Sequence, residues 1–189
     1  MDSNSNRKNR NMRILYGCCY KGHIKAPGCE IEYVDILPNL KKDNGNYIQA
    51  DIKTIDFKQY DAIICTPPCN YYSRANYRRE TSEYAQKTKE LLPYCINKAI
   101  NTGKPFIIEN VINRKLMRNI IIGFPGFVYF IGRHTYFTNE FINMECEQWE
   151  TVKNIQLLPQ SKRQGGHNVE SVLNIWIERI IQCYWDKDI

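Results

Sequence analysis

Asp61-Ala-Ile-Ile-Cys-Thr-Pro-Pro-Cys-Asn-Tyr-Tyr-Ser73 is a short apolar run closed by a double proline. Ala62 to Cys65 reads as a buried strand giving way to a loop. Pro67 and Pro68 have a fixed φ and no N–H, so they stop the strand and stiffen the loop beyond it. Cys69 therefore falls just past the carboxyl end of a central strand, where ligands bind in open α/β sheets. On these residues alone Cys69 has two readings, a small buried hydrophobe in a structural loop or a reactive thiol.

Toward the N-terminus, Met12 to Tyr16 is a strand candidate that runs into the glycine-bounded turn Gly17-Cys-Cys-Tyr-Lys-Gly22. Such a turn lets backbone approach a cofactor, although no full glycine fingerprint is present. Ile31 to Leu37 reads as a second strand with Asp35 near its end. An acid there accepts hydrogen bonds from ribose hydroxyls in nucleotide-binding α/β folds; otherwise it is an ordinary strand-end Asp. Lys41 to Asn46 is turn-like, and Tyr47 to Asp51 is a third short strand ending in an acid.

Toward the C-terminus, residues 80 to 101 carry Tyr84, Thr88, Leu91, Leu92, Cys95, Ile96 and Ala99 at helical spacing. Pro93 predicts a kink or break in that helix, and Asn101-Thr-Gly103 predicts its end. Pro105 to Val111 is a further strand, interrupted by Glu109 and Asn110. A Glu at the end of a buried strand is costly unless it has a partner or a task. Phe127 to Phe137 alternates as a strand pair around Gly132, and Val169, Val172, Leu173, Trp176 and Ile180 mark an amphipathic C-terminal helix. Strands alternating with helices predict an α/β fold with a mostly parallel sheet.

The 189 residues fit one domain, with residues 1–11 a flexible basic tail and 12–189 a single unit. The eight cysteines lack a C-x-x-C pair and no signal peptide precedes them, so reduced thiols, a cytoplasmic setting and no metal site are expected. No apolar run approaches the ~18 residues that a membrane span needs. A net charge of +6 permits a polyanionic partner without demanding one.

The Pro-Cys stretch at Pro68-Cys69, followed by Glu109-Asn-Val111 and by Gly132-Arg-His-Thr-Tyr-Phe137, resembles the DNA cytosine-5 methyltransferases. It looks most like their small bacteriophage-type members. Tyr33-Val-Asp-Ile36 is similar to the family's cofactor-ribose strand and Ile48-Gln-Ala-Asp51 to its adenine-contacting turn. The likeness covers roughly residues 12 to 139, with a faint echo at Trp176.

The resemblance implies a Rossmann-like methyltransferase fold with helices on both faces of the sheet. The implied cofactor is S-adenosylmethionine, and the implied substrate is duplex DNA with one cytosine turned out of the stack. It implies Cys69 as the nucleophile at carbon 6, Glu109 as the acid at nitrogen 3, and Arg133 as the arginine that steadies the cysteine loop and the base. Cofactor contacts are implied for Tyr16, Gly17, Gly22, Asp35, Ile36, Asp51 and Pro67. Asn70, Ser73 and Asn110 are implied near the substrate or its loop. A monomer acting in the cytoplasm, a host's if the protein is viral, is the matching setting, whether to protect DNA from restriction or to modify a viral genome.

The chain departs from the family pattern at several positions. Asn70 stands where the family has Gln, and Thr135 where it has a second Arg. Tyr16-Gly-Cys-Cys-Tyr-Lys-Gly22 replaces the glycine-rich loop, and the segment of about 140–168 leaves a reduced or absent target-recognition region. These departures keep a second reading open: a catalytically degenerate methyltransferase-fold protein that binds nucleic acid or a protein partner. In the first reading a protein partner could also supply sequence specificity. An adenine amino-methyltransferase is a distant third, since its motif needs an aromatic residue at the place of Cys69.

Overall fold

A computed structural model describes residues 11–38, 46–141 and 169–186. Seven strands form one sheet in the order β3-β2-β1-β4-β5-β7-β6. They are β1 Met12–Gly17, β2 Cys29–Asp35, β3 Asn46–Gln49, β4 Ala62–Cys65, β5 Phe106–Val111, β6 Phe127–Ile131 and β7 His134–Thr138. β1 to β5 run parallel; β7 lies antiparallel to β5 and to β6. The order steps leftward from β1 to β3 and then restarts on the other side at β4. That reversal between β1 and β4 is the topological switch point of a Rossmann-like sheet, and a crevice opens there at the carboxyl ends.

Four helices are described: α1 Glu83–Lys89, α2 Leu91–Ile100, α3 Arg118–Gly123 and α4 Val169–Asp186. Successive residues of a strand face opposite sides of the sheet, so β1 sends Ile14 and Tyr16 to one face and Leu15 to the other. α4 covers the first face with Val172, Leu173, Trp176, Ile177 and Ile180 against Ile64 and Ile107. α2 covers the second with Leu92, Cys95, Ile96 and Ala99 against Ile63, Phe106 and Ile108. Each buried aliphatic side chain contributes about 1.5–3 kcal/mol relative to exposure. A parallel sheet clad on both faces explains why β4 reads as an unbroken apolar run. Trp176 adds a polar tether, its indole N–H donating to Thr138 Oγ1 at 3.3 Å.

Several boundaries differ from those expected. β2 ends at Asp35, so Ile36 and Leu37 leave the sheet and are exposed. The helix break falls at Glu90, between α1 and α2, rather than at Pro93. Pro93 sits in the first turn of α2, where its missing N–H has no intrahelical acceptor to lose. Tyr84 is 57% exposed despite its place in the apolar stripe. The strand pair forms as expected, with Gly132 at φ 58° making the turn. The tail 1–10 and the segment 142–168 lie outside the described residues, so the tail and the reduced recognition region are not addressed. Among the described residues no helix is long and apolar enough to cross a membrane.

Candidate active site

A cavity of about 710 Å³ opens at the carboxyl ends of β1, β2, β4 and β5. Its size is that of a small-molecule site, ~300–1,000 Å³. Thr66, Pro67, Pro68, Cys69 and Asn70 enter it from the loop after β4, and Glu109 and Val111 from the end of β5. His134 enters from β7, Asp35 and Ile36 from the end of β2, and Asp51 to Lys53 from the segment after β3. Cys18 and Tyr20 enter from the β1 loop, and Tyr84, Lys87, Thr88 and Leu91 from the α1–α2 region.

The loop carrying Cys69 is held from β5 and just beyond it by two buried amides. Asn110 donates through Nδ2 to the Pro67 carbonyl at 2.9 Å, and Asn113 donates to the Tyr72 carbonyl at 2.9 Å. Within the loop, Ser73 N donates to Cys69 O at 2.8 Å, and Arg79 donates to the carbonyls of Tyr71 and Ser73. Tyr71 and Tyr72 are buried beneath it, edge to face with ring centroids 5.3 Å apart. Paired backbone and buried aromatics fix the half-buried Cys69 thiol at the cavity wall.

Glu109 is 8% exposed and its Oε1 lies 2.6 Å from His134 Nδ1. Its charge is felt across the cavity. Burial pushes the Cys69 thiol up, and the nearby Glu109 carboxylate pushes it further, with a backbone hydrogen bond opposing. Tyr16 and Tyr136 are likewise pushed well up by burial, with the Glu109 charge among the additional causes. A thiol and a carboxyl from neighbouring parallel strands thus share one cavity, close enough to couple electrostatically. An addition reaction needs such a pair: a sulfur to attack, and an acid to meet the charge that develops.

The β1 loop departs from a glycine turn in a specific way. Cys18 and Tyr20 hold left-handed backbone, at φ 54° and 41°, where glycine is usually found. Asp35 fastens that loop: Oδ2 accepts from Tyr20 N at 2.8 Å and Oδ1 from Leu37 N at 3.0 Å. Gly17 is packed from below; a Cβ there would meet Ile52 Cδ1 at 2.4 Å and Cys65 Sγ at 3.0 Å.

Of the expected site residues, Cys69, Glu109, Asn70, Asp35, Ile36, Asp51 and Pro67 line the cavity. Tyr16, Gly17 and Gly22 do not. Tyr16 is buried in the core under α4, and a Cβ on Gly22 would collide with the Tyr16 hydroxyl, so this part of the turn packs inward and leaves Cys18 and Tyr20 at the cavity. Asn110 and Ser73 hold the cysteine loop rather than face the cavity; Asn110 is turned away to reach Pro67. The expectation for Arg133 is corrected. It is exposed in the β6–β7 turn, and the register of β7 on β5 sets His134 opposite Val111 and brings the imidazole, not the guanidinium, to Glu109.

His134 and the α1 residues Tyr84 and Lys87 are additions to the expected set. Nothing local in the sequence separates His134 from Arg133, and nothing in the helical stripe points Tyr84 to a site. Among the described residues no group of three or more His, Cys, Asp or Glu side chains is placed to hold a metal ion.

Fold and site together define a Rossmann-like α/β protein whose switch-point cavity pairs a thiol with a carboxyl. A scan against family models and a search of curated proteins give no match. Among solved structures the chain is similar to one titled "DhpI-SAM-HEP complex", at 12% identity over 80% of this chain and 72% of that chain, with a TM-score of 0.30. So slight a likeness carries nothing about chemistry, and the fold assignment stands on the strand order itself.

Proposed function

We propose that the protein is a DNA cytosine-5 methyltransferase that uses S-adenosylmethionine. The observation that carries the reading is the joint placement of Cys69 and Glu109 on one cavity at the switch point. The sequence motifs that contain them, Pro68-Cys69 and Glu109-Asn-Val111, support the same pairing.

The cavity fits the cofactor. Asp35 and Asp51 offer carboxylate oxygens for ribose or amino groups, Ile36 an exposed apolar contact, and the β1 loop a wall of backbone. S-adenosylmethionine, when bound, supplies an electrophilic methyl group. The chain's own residues do the rest. Cys69 Sγ, as thiolate, bonds to carbon 6 of the extruded cytosine, and the ring electrons move toward nitrogen 3, which takes the proton of Glu109. Carbon 5 would then take the methyl as the cofactor's sulfonium sulfur–methyl bond breaks, leaving S-adenosylhomocysteine. Loss of the carbon 5 proton to solvent, return of the nitrogen 3 proton, and cleavage of the sulfur–carbon bond restore the aromatic ring and the free thiolate. Asn110, through the Pro67 carbonyl two residues before it, keeps Cys69 in line for its attack.

The test is transfer of labelled methyl from S-adenosylmethionine to mixed-sequence DNA, read as 5-methylcytosine. Unmutated protein should transfer, and Cys69→Ala should not while keeping its fold. Transfer by Cys69→Ala at the unmutated rate would exclude the covalent route.

One observation favours the degenerate reading instead. Both Asp35 oxygens already accept backbone N–H groups, and Cys18 and Tyr20 stand at left-handed positions of the cofactor-side loop. Titration calorimetry with S-adenosylmethionine separates the two. Heat with one-to-one stoichiometry supports the enzyme; a flat trace supports a binding protein without chemistry.

A further inference from the structure

The Cys69–Glu109 pairing contains an electrostatic conflict. The nucleophile must be an anion, yet it sits beside a carboxylate that opposes its ionisation. A proton shared with that carboxylate from a neighbouring basic group relieves the conflict, and such a group can be sought around Glu109. Tyr16 and Tyr136 sense its charge, but both are neutral while they keep their protons. The Tyr136 hydroxyl is buried without a hydrogen-bond partner among the described residues. Lys53 and Lys87 line the same cavity with Asp35 and Asp51, and Lys87 pairs with Glu83. The basic group in contact is His134, at 2.6 Å, with side-chain exposures of 25% for His134 and 11% for Glu109.

We infer that His134 is the positioning cation of this site: protonated, it neutralises Glu109 and so permits Cys69 to ionise beside it. At 2.6 Å the two groups are within strong hydrogen-bond distance, and partial burial shields the pair from screening. The imidazolium also aligns the Glu109 carboxyl, leaving Oε2 for a ring nitrogen. The proton on Nδ1 is shared with Oε1, so the pair can hand one proton to a substrate and recover it from solvent through the partly exposed imidazole. His134 acts through Glu109 and touches no reacting atom. The upward push on the Cys69 thiol from Glu109 is the effect that His134 would offset. The functional meaning of this device rests on Cys69 being the nucleophile; its electrostatics do not.

Two measurements on the whole protein, without DNA or cofactor, test it. The first is the alkylation rate of Cys69 by iodoacetamide across pH 6–10, resolved from the other cysteines by peptide mass spectrometry. His134→Gln should slow Cys69 alkylation at pH 7 by about tenfold, because an opposite charge is removed from a coupled pair. His134→Arg should restore it, since the guanidinium supplies the positive charge. Glu109→Gln should speed it, and adding His134→Gln to Glu109→Gln should change little further. The second is 15N NMR of the protein's three histidines in unmutated and Glu109→Gln protein. The His134 ring should carry protons on both nitrogens in the unmutated protein at pH 7, and its ring signals should move in Glu109→Gln. A neutral His134 in the unmutated protein, or Cys69 alkylation indifferent to His134→Gln, overturns the inference. If either variant fails to fold, the unmutated protein's NMR spectrum at pH 7 still decides. Because neither readout needs methyl transfer, an inactive protein with the expected thiol behaviour counts against the proposed function and not against His134.

Discussion

Replacing Asn110 with Ala probes how the cysteine loop is held. Asn110 is 1% exposed, and its Nδ2 is the partner of the buried Pro67 carbonyl at 2.9 Å. Its Oδ1 also accepts from Val111 N at 3.0 Å. Alanine removes both bonds, so the Pro67 carbonyl loses its side-chain partner. An orphaned buried acceptor costs about 1–3 kcal/mol. With a urea dependence of about 1–3 kcal/mol per molar, the unfolding midpoint should fall by roughly 1 M. Cys69 lies two residues beyond Pro67, and a misplacement on the order of 1 Å can lower turnover by about a hundredfold. Asn113→Ala is the matched control. It removes an equivalent bond to Tyr72, three residues past Cys69, at a similar stability cost. Urea unfolding followed by fluorescence, with methyl transfer measured at saturating DNA, gives both numbers. The reasoning is refuted if Asn110→Ala is as stable as the unmutated protein, or if Asn113→Ala loses turnover to the same extent.

Gly17→Ala should lower stability by about 1–3 kcal/mol through overpacking, since the new Cβ meets Ile52 Cδ1 at 2.4 Å; chemical denaturation checks it. Alkaline stability should decline from pH 9 upward. Burial, with Asp61 second, pushes the Cys29 thiol from 9.0 to about 11, and burial, with Glu90 second, pushes Tyr72 from 10.0 to about 12. The folded chain therefore keeps protons that the unfolded chain releases, so this stabilisation is complete below pH 9 and is lost as pH passes through 11 and 12. A urea midpoint that stays level or rises between pH 8 and 11 would contradict this. Tyr77 stands 84% exposed at the tip of the loop after Cys69, with the Arg78 guanidinium 5.8 Å from its ring centre and Arg74 exposed nearby in sequence. If DNA lies over the cavity, Arg74→Ala with Arg78→Ala should lessen the slope of log affinity against log salt by about 1 per arginine, measured by fluorescence anisotropy.

Much of this architecture is legible because it depends on local pattern. The apolar run ending in Pro67 and Pro68 predicts β4 and the position of Cys69. A Glu at the end of an otherwise buried strand points to Glu109 at the cavity, and an acid at the end of β2 to Asp35. The hidden part depends on register and on loop conformation. The His134–Glu109 contact joins residues 25 apart through an antiparallel pairing of β5 with β7. No local pattern distinguishes that register from one that would present Arg133. The β1 loop reads as a glycine turn, but Cys18 and Tyr20 carry its left-handed positions, and the glycines pack inward. Tyr84 fits the buried stripe by its spacing; the break at Glu90 turns the short α1 so that Tyr84 faces the cavity.

The central claim is that one sulfur attacks a base and one carboxyl answers it. DNA in which cytosine is replaced by 5-fluorocytosine tests this most directly, because fluorine at carbon 5 cannot leave as a proton and the attacking sulfur is trapped. With S-adenosylmethionine present, mass spectrometry should find a stable adduct on the peptide holding Cys69, strongly reduced by Glu109→Gln. No adduct, or one on a different cysteine, would contradict it.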